Sequence, residues 1–154
     1  MATVVGVISD THGLVRPEAL RALQGCSHIL HAGDVGRPEV LASLSQLAPV
    51  IAVRGNNDKG AWAEGLPHTE VVEIESTFIY LLHDLADLDL DPVAATFSVV
   101  VSGHSHRPRA EVRGGVLYLN PGSAGPRRFT LPVAVARITV SGATVVHELI
   151  ELDV

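Results

Sequence analysis

Five short motifs, each directly after an apolar run, carry seven side chains of metal-binding type: Asp10 and His12, Asp34, Asn56, His83, then His104 and His106. Apolar runs that end in such residues constrain the fold strongly. In open α/β sheets, ligands bind in the crevice outside the carboxyl ends of the strands, so the five motifs are expected to converge on one edge. Asp10 and His12 lie two apart, which in extended chain points both to the same side. Carboxylate and amide oxygens mixed with imidazoles, without thiolates, suit borderline divalent ions such as manganese, iron, nickel or zinc better than a closed cysteine-type structural zinc site. The pattern outlines a two-metal site, and catalysis is the leading reading.

The first half of the chain alternates strand and helix. Strands are expected at Val4–Ile8, His28–His31 and Val50–Val53, with helices near Pro17–Gln24 and Pro38–Leu47, the order of βαβ units on a parallel sheet. Pro17 and Pro38 fit first helical turns, Gly25 fits a helix end, and Val40, Leu41, Leu44 and Leu47 recur at helical spacing. After Gly60 comes a loop of small residues. Thr69–Ile74 and Phe78–Leu82 then stand too close together for a crossover helix and predict a hairpin. A short helix is expected from Asp91 as N-cap with Pro92 at its first position. The last third reads as strands at Ser98–Val101, Ala110–Arg113, Val116–Leu119, Val133–Val140 and Thr144–Leu149, with turns at Gly114-Gly115 and Ser141-Gly142. Two mixed sheets packed face to face with helices outside accommodate this order.

At 154 residues the chain has room for one domain, expected over residues 1–154. Its apolar runs fall well short of the ~18 residues that span a bilayer, and Met1–Val5 enters a strand without a secretion signal, so a cytoplasmic protein is expected. The single Cys26 makes no internal disulfide and reads as a small apolar residue at a helix-to-strand junction. A net charge of -6 argues against general nucleic-acid binding. It leaves open a small anionic substrate, because two divalent ions reverse the potential locally. Exposed strand edges leave room for a homodimer.

The ordered pattern Asp-x-His, Gly-Asp, Gly-Asn-x-Asp, His, Gly-His-x-His from Asp10 to His106, followed by Asn120-Pro121-Gly122-Ser123, resembles the calcineurin-like metallophosphoesterases, in particular their small single-domain bacterial and archaeal phosphodiesterase branch. The resemblance implies a four-layer α-β-β-α sandwich of two mixed sheets flanked by helices. It implies that Asp10, His12 and His106 hold one metal, that Asn56, His83 and His104 hold the other, and that Asp34 bridges them. Two ions held that way, manganese first and nickel, zinc, iron or magnesium as alternatives, would share a hydroxide that attacks phosphorus in line with the leaving oxygen of a small phosphodiester. A phosphomonoesterase, a nuclease, and a protein-interaction scaffold like the retromer subunit of similar fold are the alternatives. Against the scaffold stands the full set of seven ligand-type residues.

Two positions depart from the family. Asn57 stands where many members have a His that can protonate the leaving group, and an amide cannot act as a general acid. Asp84 follows His83 where relatives often have Gly-His, and is read either as a helix cap or as added charge near the site. Asn57 and Asp58 are the catalytic candidates besides the ligands, with Asp58 read as an orienter of its neighbours. Asn57, Arg127 and Arg128 are the candidate substrate contacts. Arg107, Arg109 and Arg16 are weaker ones, set against the bland reading of a solvated surface. Trp62 and Phe129 are candidates to stack an aromatic leaving group. His31 reads either as support for Asp34 or as a core residue, and His28, His68 and His147 read as structural. Asn120–Ser123 reads as a turn or as support for the site.

Overall fold

The computed structural model describes residues 2–154. Its strands and helices run β1 (Thr3–Ile8), α1 (Pro17–Ala22), β2 (His28–His31), α2 (Pro38–Ser45), β3 (Val50–Ala52), α3 (Ala61–Glu64), β4 (Thr69–Ile74), β5 (Thr77–Leu82), β6 (Val99–Val101), β7 (Arg109–Arg113), β8 (Val116–Asn120), β9 (Ala134–Ser141) and β10 (Thr144–Glu151). The two long helices start on Pro17 and Pro38, whose fixed φ and missing N–H cost nothing in a first turn. Gly25, at φ 84°, closes the turn after α1. Short α3 lies in the stretch read from sequence as loop.

Two five-stranded mixed sheets form, in the orders β10-β9-β1-β2-β3 and β4-β5-β6-β8-β7. In the first, β1, β2 and β3 are parallel; in the second, β5, β6 and β8 are parallel. Hairpin partners β4, β7 and β10 add antiparallel edges. The sheets face each other across a core in which Val5, Val7 and Leu30 of the first meet Ile79, Leu81, Val99, Val101 and Leu119 of the second. On the outer side of the first sheet, α1 and α2 bury Ala19, Leu23, Val40 and Leu44 against Ile8, Ile29 and Val135.

The outer side of the second sheet is built differently from a helical layer. Tyr80, Leu82, Val100 and Val116 are covered by Leu85, Leu88, Leu90 and Phe97, which belong to an irregular segment opened by a 3-10 turn at Leu85–Asp87. The helix expected from Asp91 is a single turn: Asp91 accepts from Val93 N and Ala94 N, and the Ala95 and Phe97 amides donate back to the Asp91 and Pro92 carbonyls. Thr96 then takes φ 65°, and the chain must extend at once to enter β6. Asp91 and Pro92 supply a start signal, but there is no room for a second turn.

Candidate metal centre

Every parallel strand ends at the same edge of the sandwich, and its next residues turn into a common cleft. The loops there are stitched to one another by backbone bonds: Asp10 N to Gly33 O at 3.0 Å, His12 N to Asp34 O at 3.0 Å, Gly13 N to Val35 O at 2.8 Å, and Gly103 N to His83 O at 2.9 Å. Close approach requires glycine at two of them. A Cβ on Gly55 would strike the Asp34 backbone and carboxylate, and one on Gly103 would strike Ser9 Oγ and come within 2.6 Å of Asp10 Oδ2.

Asp10 is fully buried at the centre. Its Oδ2 accepts from Ser9 Oγ at 2.7 Å and from the His104 amide at 3.0 Å. Its Oδ1 is buried without a hydrogen-bond partner and is surrounded by three imidazole nitrogens: His106 Nε2 at 3.4 Å, with His12 Nε2 and His83 Nε2 at 3.9 Å. Asp34 Oδ2 lies 3.4 Å from His83 Nε2 and 3.8 Å from His12 Nε2. His12 and His106 present Nε2 to Nε2 at 3.3 Å, and His104 Nδ1 faces His83 Nε2 at 3.3 Å. Unshared imidazole lone pairs and an orphaned carboxylate oxygen, all pointed at one another, form a donor set that a cation satisfies. Two ligand groups result, Asp10 with His12 and His106, and Asp10 with Asp34 and His83.

The charge states agree with this picture. Burial works to raise both carboxyls, yet His106, Ser9 and His83 outweigh it at Asp10, and His83 with the Asn57 amides outweighs it at Asp34, so both stay below the usual carboxylate range. At His83 burial lowers and the Asp34 and Asp10 carboxylates raise, leaving a net increase. Its ring is oriented by Nδ1–H donating to Ala32 O at 2.7 Å, which turns Nε2 toward the cleft.

His104, Asn56 and Asn57 form the open side. Asn56 is exposed and lines a cleft with His83, Arg54 and His68. Asn57 donates twice to Asp34, from its backbone N to Oδ1 at 2.9 Å and from Nδ2 to Oδ2 at 3.0 Å. Asp84 does both things weighed for it: Oδ1 caps the 3-10 turn through Ala86 N at 3.0 Å, and Oδ2 stands 3.7 Å from His104 Nε2.

Several sequence candidates act through the frame. Asp58 is buried, and its carboxylate accepts from Val35 N, Gly36 N and Gly55 N at 2.9–3.2 Å, locking the Asp34 loop to the Asn56 loop. Its oxygens are thereby filled by backbone. Asn120 Nδ2 donates to Gly103 O and Ser105 Oγ, and Ser123 Oγ donates to Asp10 O, so the Asn120–Ser123 turn supports the site. Arg16 donates to Gly125 O, and Arg127 donates to the Leu131 and Val154 carbonyls at 3.3 Å. Arg128 and Phe129 are exposed, whereas Trp62 packs on the helix-covered core.

A buried link between Thr11 and His31 went unread in the sequence. His31 Nδ1 accepts from Gly33 N at 3.1 Å, and Nε2 pairs with Thr11 Oγ1 at 3.0 Å, while Thr11 itself donates to Val35 O at 2.8 Å. Only one proton order satisfies this chain: neutral His31 protonated on Nε2. Burial accordingly pushes the His31 pKa down to about 4.

The chain is similar to known proteins in sequence and in fold. Residues 4–143 match the calcineurin-like phosphoesterase superfamily domain. A probable metallophosphoesterase of Methanothermobacter thermautotrophicus is 38% identical over 148 residues, covering 88% of this chain and 86% of that protein. A phosphodiesterase of Methanocaldococcus jannaschii is 26% identical, covering 77% and 82%. Among solved structures, vacuolar protein sorting 29 of Cryptosporidium parvum superposes with a TM-score of 0.83 at 24% identity, covering 99% of this chain and 92% of that one, a likeness of fold.

Proposed function

The chain belongs to the calcineurin-like phosphoesterase superfamily, and on that premise we propose that residues 1–154 form one catalytic domain, a phosphodiesterase that uses two divalent ions, manganese first among them. The observation that carries this reading is the orphaned Asp10 Oδ1 ringed by His12, His83 and His106, with Asp34 Oδ2 facing the same nitrogens of His12 and His83. Asp10, His12 and His106 would hold one ion, Asn56, His83 and His104 the other, and Asp34 both. Bound there, two divalent ions supply positive charge to the phosphate oxygens and acidify a water to a nucleophile at neutral pH.

The chain's own groups then have defined tasks. Asn57 holds Asp34 from two sides, which fixes the bridging carboxylate, and its exposed amide is the proposed substrate contact, with Arg128 the less committed of the two arginines downstream. Asp58 is a positioning residue that keeps the Asn56–Asn57 loop against the Asp34 loop. With Asn57 in place of an acid, departure of the leaving oxygen goes without proton donation from that position. Aryl diesters are therefore expected to react faster than alkyl diesters, and equal rates would sink that role.

A scaffold on the same fold is the competing reading. The test is hydrolysis of bis-p-nitrophenyl phosphate and its monoester by metal-stripped protein, with manganese, nickel, zinc or magnesium added back and Asp34→Asn as control. Metal-dependent diesterase activity lost in the control supports the enzyme. Stoichiometric metal binding without turnover under any ion supports the scaffold.

A further inference from the structure

Two clefts open on either side of the rim made by His83, Asp84 and His104. One, of about 300 Å³, holds Arg54, Asn56 and His68. The other, of about 340 Å³, begins at His104 and Asp84 and runs over the outer face of β7 and β8 past Arg107, Arg109, Arg113 and Tyr118. A phosphodiester has two ester arms, and a phosphorus held at the rim would have one cleft open to each.

The second cleft is rich in arginine in a chain whose net charge is -6. Three arginines face two carboxylates there, Asp84 and Glu111, and Asp84 is engaged in capping its turn. The period of a strand puts Arg109, Glu111 and Arg113 on one face. Their register opposite Asn120, Tyr118 and Val116 orders them along the cleft. Asn120 donates to Gly103 O beside His104, so Arg109 stands at the end near the rim, with Arg107 directly after His106. Arg113 lies four residues away along β7, roughly 13 Å, where its guanidinium sits 4.1 Å over the Tyr118 ring and walls the far end. Arg109 Nη2 meets Glu111 Oε2 at 2.6 Å, and Arg113 Nε lies 3.8 Å from Glu111 Oε1. An internal carboxylate thus occupies the position where a ligand's anion would meet Arg109.

We propose, resting on the phosphodiesterase reading, that this cleft takes one ester arm of the substrate and selects arms that carry a second anionic group, gripped by Arg107 and Arg109 near the rim. Glu111 holds Arg109 in place and competes with that anion. A small diester bearing a second phosphate or carboxylate on one arm is the substrate class that fits; the short cleft and the acidic remainder of the surface do not suit a polymer.

The test compares two chromogenic diesters that differ in one group: the p-nitrophenyl ester of thymidine phosphate, with and without a second phosphate on the sugar. The doubly phosphorylated probe is expected to have a kcat/KM about tenfold to a hundredfold higher, the range of one or two charge-assisted bonds. Combining Arg107→Gln with Arg109→Gln should bring that ratio close to one, and Glu111→Gln should raise it. A ratio near one in the unmodified protein, or one that the double substitution leaves intact, overturns the proposal. Calorimetric binding of thymidine bisphosphate to the metal-loaded protein separates the two readings. Binding lost in the double variant, without hydrolysis of any diester, keeps the cleft and rejects the diesterase; hydrolysis of bis-p-nitrophenyl phosphate with equal rates on the thymidine probes keeps the diesterase and rejects the cleft.

Discussion

Neutral, buried His31 makes the metal-free fold acid-sensitive in a defined window. Its pKa is about 4 in the folded chain against 6.5 for a free imidazole, because burial disfavours the cation more than the Asp10, Asp58 and Asp34 carboxylates favour it. Above pH 6.5 both folded and unfolded chains carry a neutral ring, so this group contributes no pH dependence. Between pH 6.5 and 4 the unfolded chain takes up the proton that the folded chain refuses, and stability falls with pH. A gap of about 2.5 pK units at ~1.4 kcal/mol each gives a loss of about 3 kcal/mol across the window. His83, whose pKa is raised, acts in the opposite sense above pH 6.5, and the depressed Asp10 and Asp34 act below the ordinary carboxylate pKa, so the window belongs mainly to His31. Urea unfolding in chelator at half-unit pH steps reads it. The unmodified chain should lose about 3 kcal/mol from pH 6.5 to 4, and His31→Gln, less stable at pH 7 but without a titrating ring, should show a nearly flat profile there. Parallel profiles for the two proteins would refute the assignment of a neutral ring bonded to Thr11 and Gly33.

Asp58→Ala should cost roughly 3–5 kcal/mol, because three backbone N–H groups lose a charged acceptor in a buried place; thermal melting of the metal-free protein measures it. Gly55→Ala should cost roughly 3 kcal/mol and weaken metal binding as well, since the new methyl displaces the Asp34 backbone, and a melt matching that of the unmodified protein would contradict the close approach. Asp10→Asn should lower metal stoichiometry in calorimetry while leaving the strand bonds of β1 in place, because only the orphaned oxygen's charge is removed; unchanged stoichiometry and affinity would show that Asp10 is not a ligand.

Where a fold decision rests on neighbouring residues, the sequence disclosed it. Pro17 and Pro38 mark their helices, Gly114-Gly115 and Ser141-Gly142 their hairpins with Gly114, Gly115 and Gly142 at positive φ, and the Val-rich runs their strands. What it hid depends on partners distant in the chain. Asp91-Pro92 signals a helix as strongly as Arg37-Pro38 does, but the next strand begins seven residues later and leaves space for one turn only. The motifs of ligand-type residues were legible because each is local and follows a strand. The Thr11–His31 link and the Asp58 clasp were not, since both join loops of different strands and appear only once β1, β2 and β3 lie parallel. Arg109 was visible as a charge; its place at the rim follows from the β7–β8 register.

The backbone indicates what holds the centre in shape. Asp10, His12, Asp34, His104 and His106 all adopt positive φ, between 48° and 71°, so five of the seven ligand-type residues sit in a region that side chains avoid. Each such residue costs of order 1 kcal/mol, and the cost persists only where the surroundings overdetermine the geometry. They do so here with groups other than the ligand side chains: the Gly33, Asp34 and Val35 backbone carbonyls receive the β1 loop, Ser123 holds the Asp10 carbonyl, and Asp58 gathers three amides. The donor atoms of Asp10, His12, His83, His104 and His106 already meet in pairs at 3.3–3.9 Å, in loops held by bonds that need no cation. A centre arranged in advance would spend little of a metal's binding energy on ordering loops.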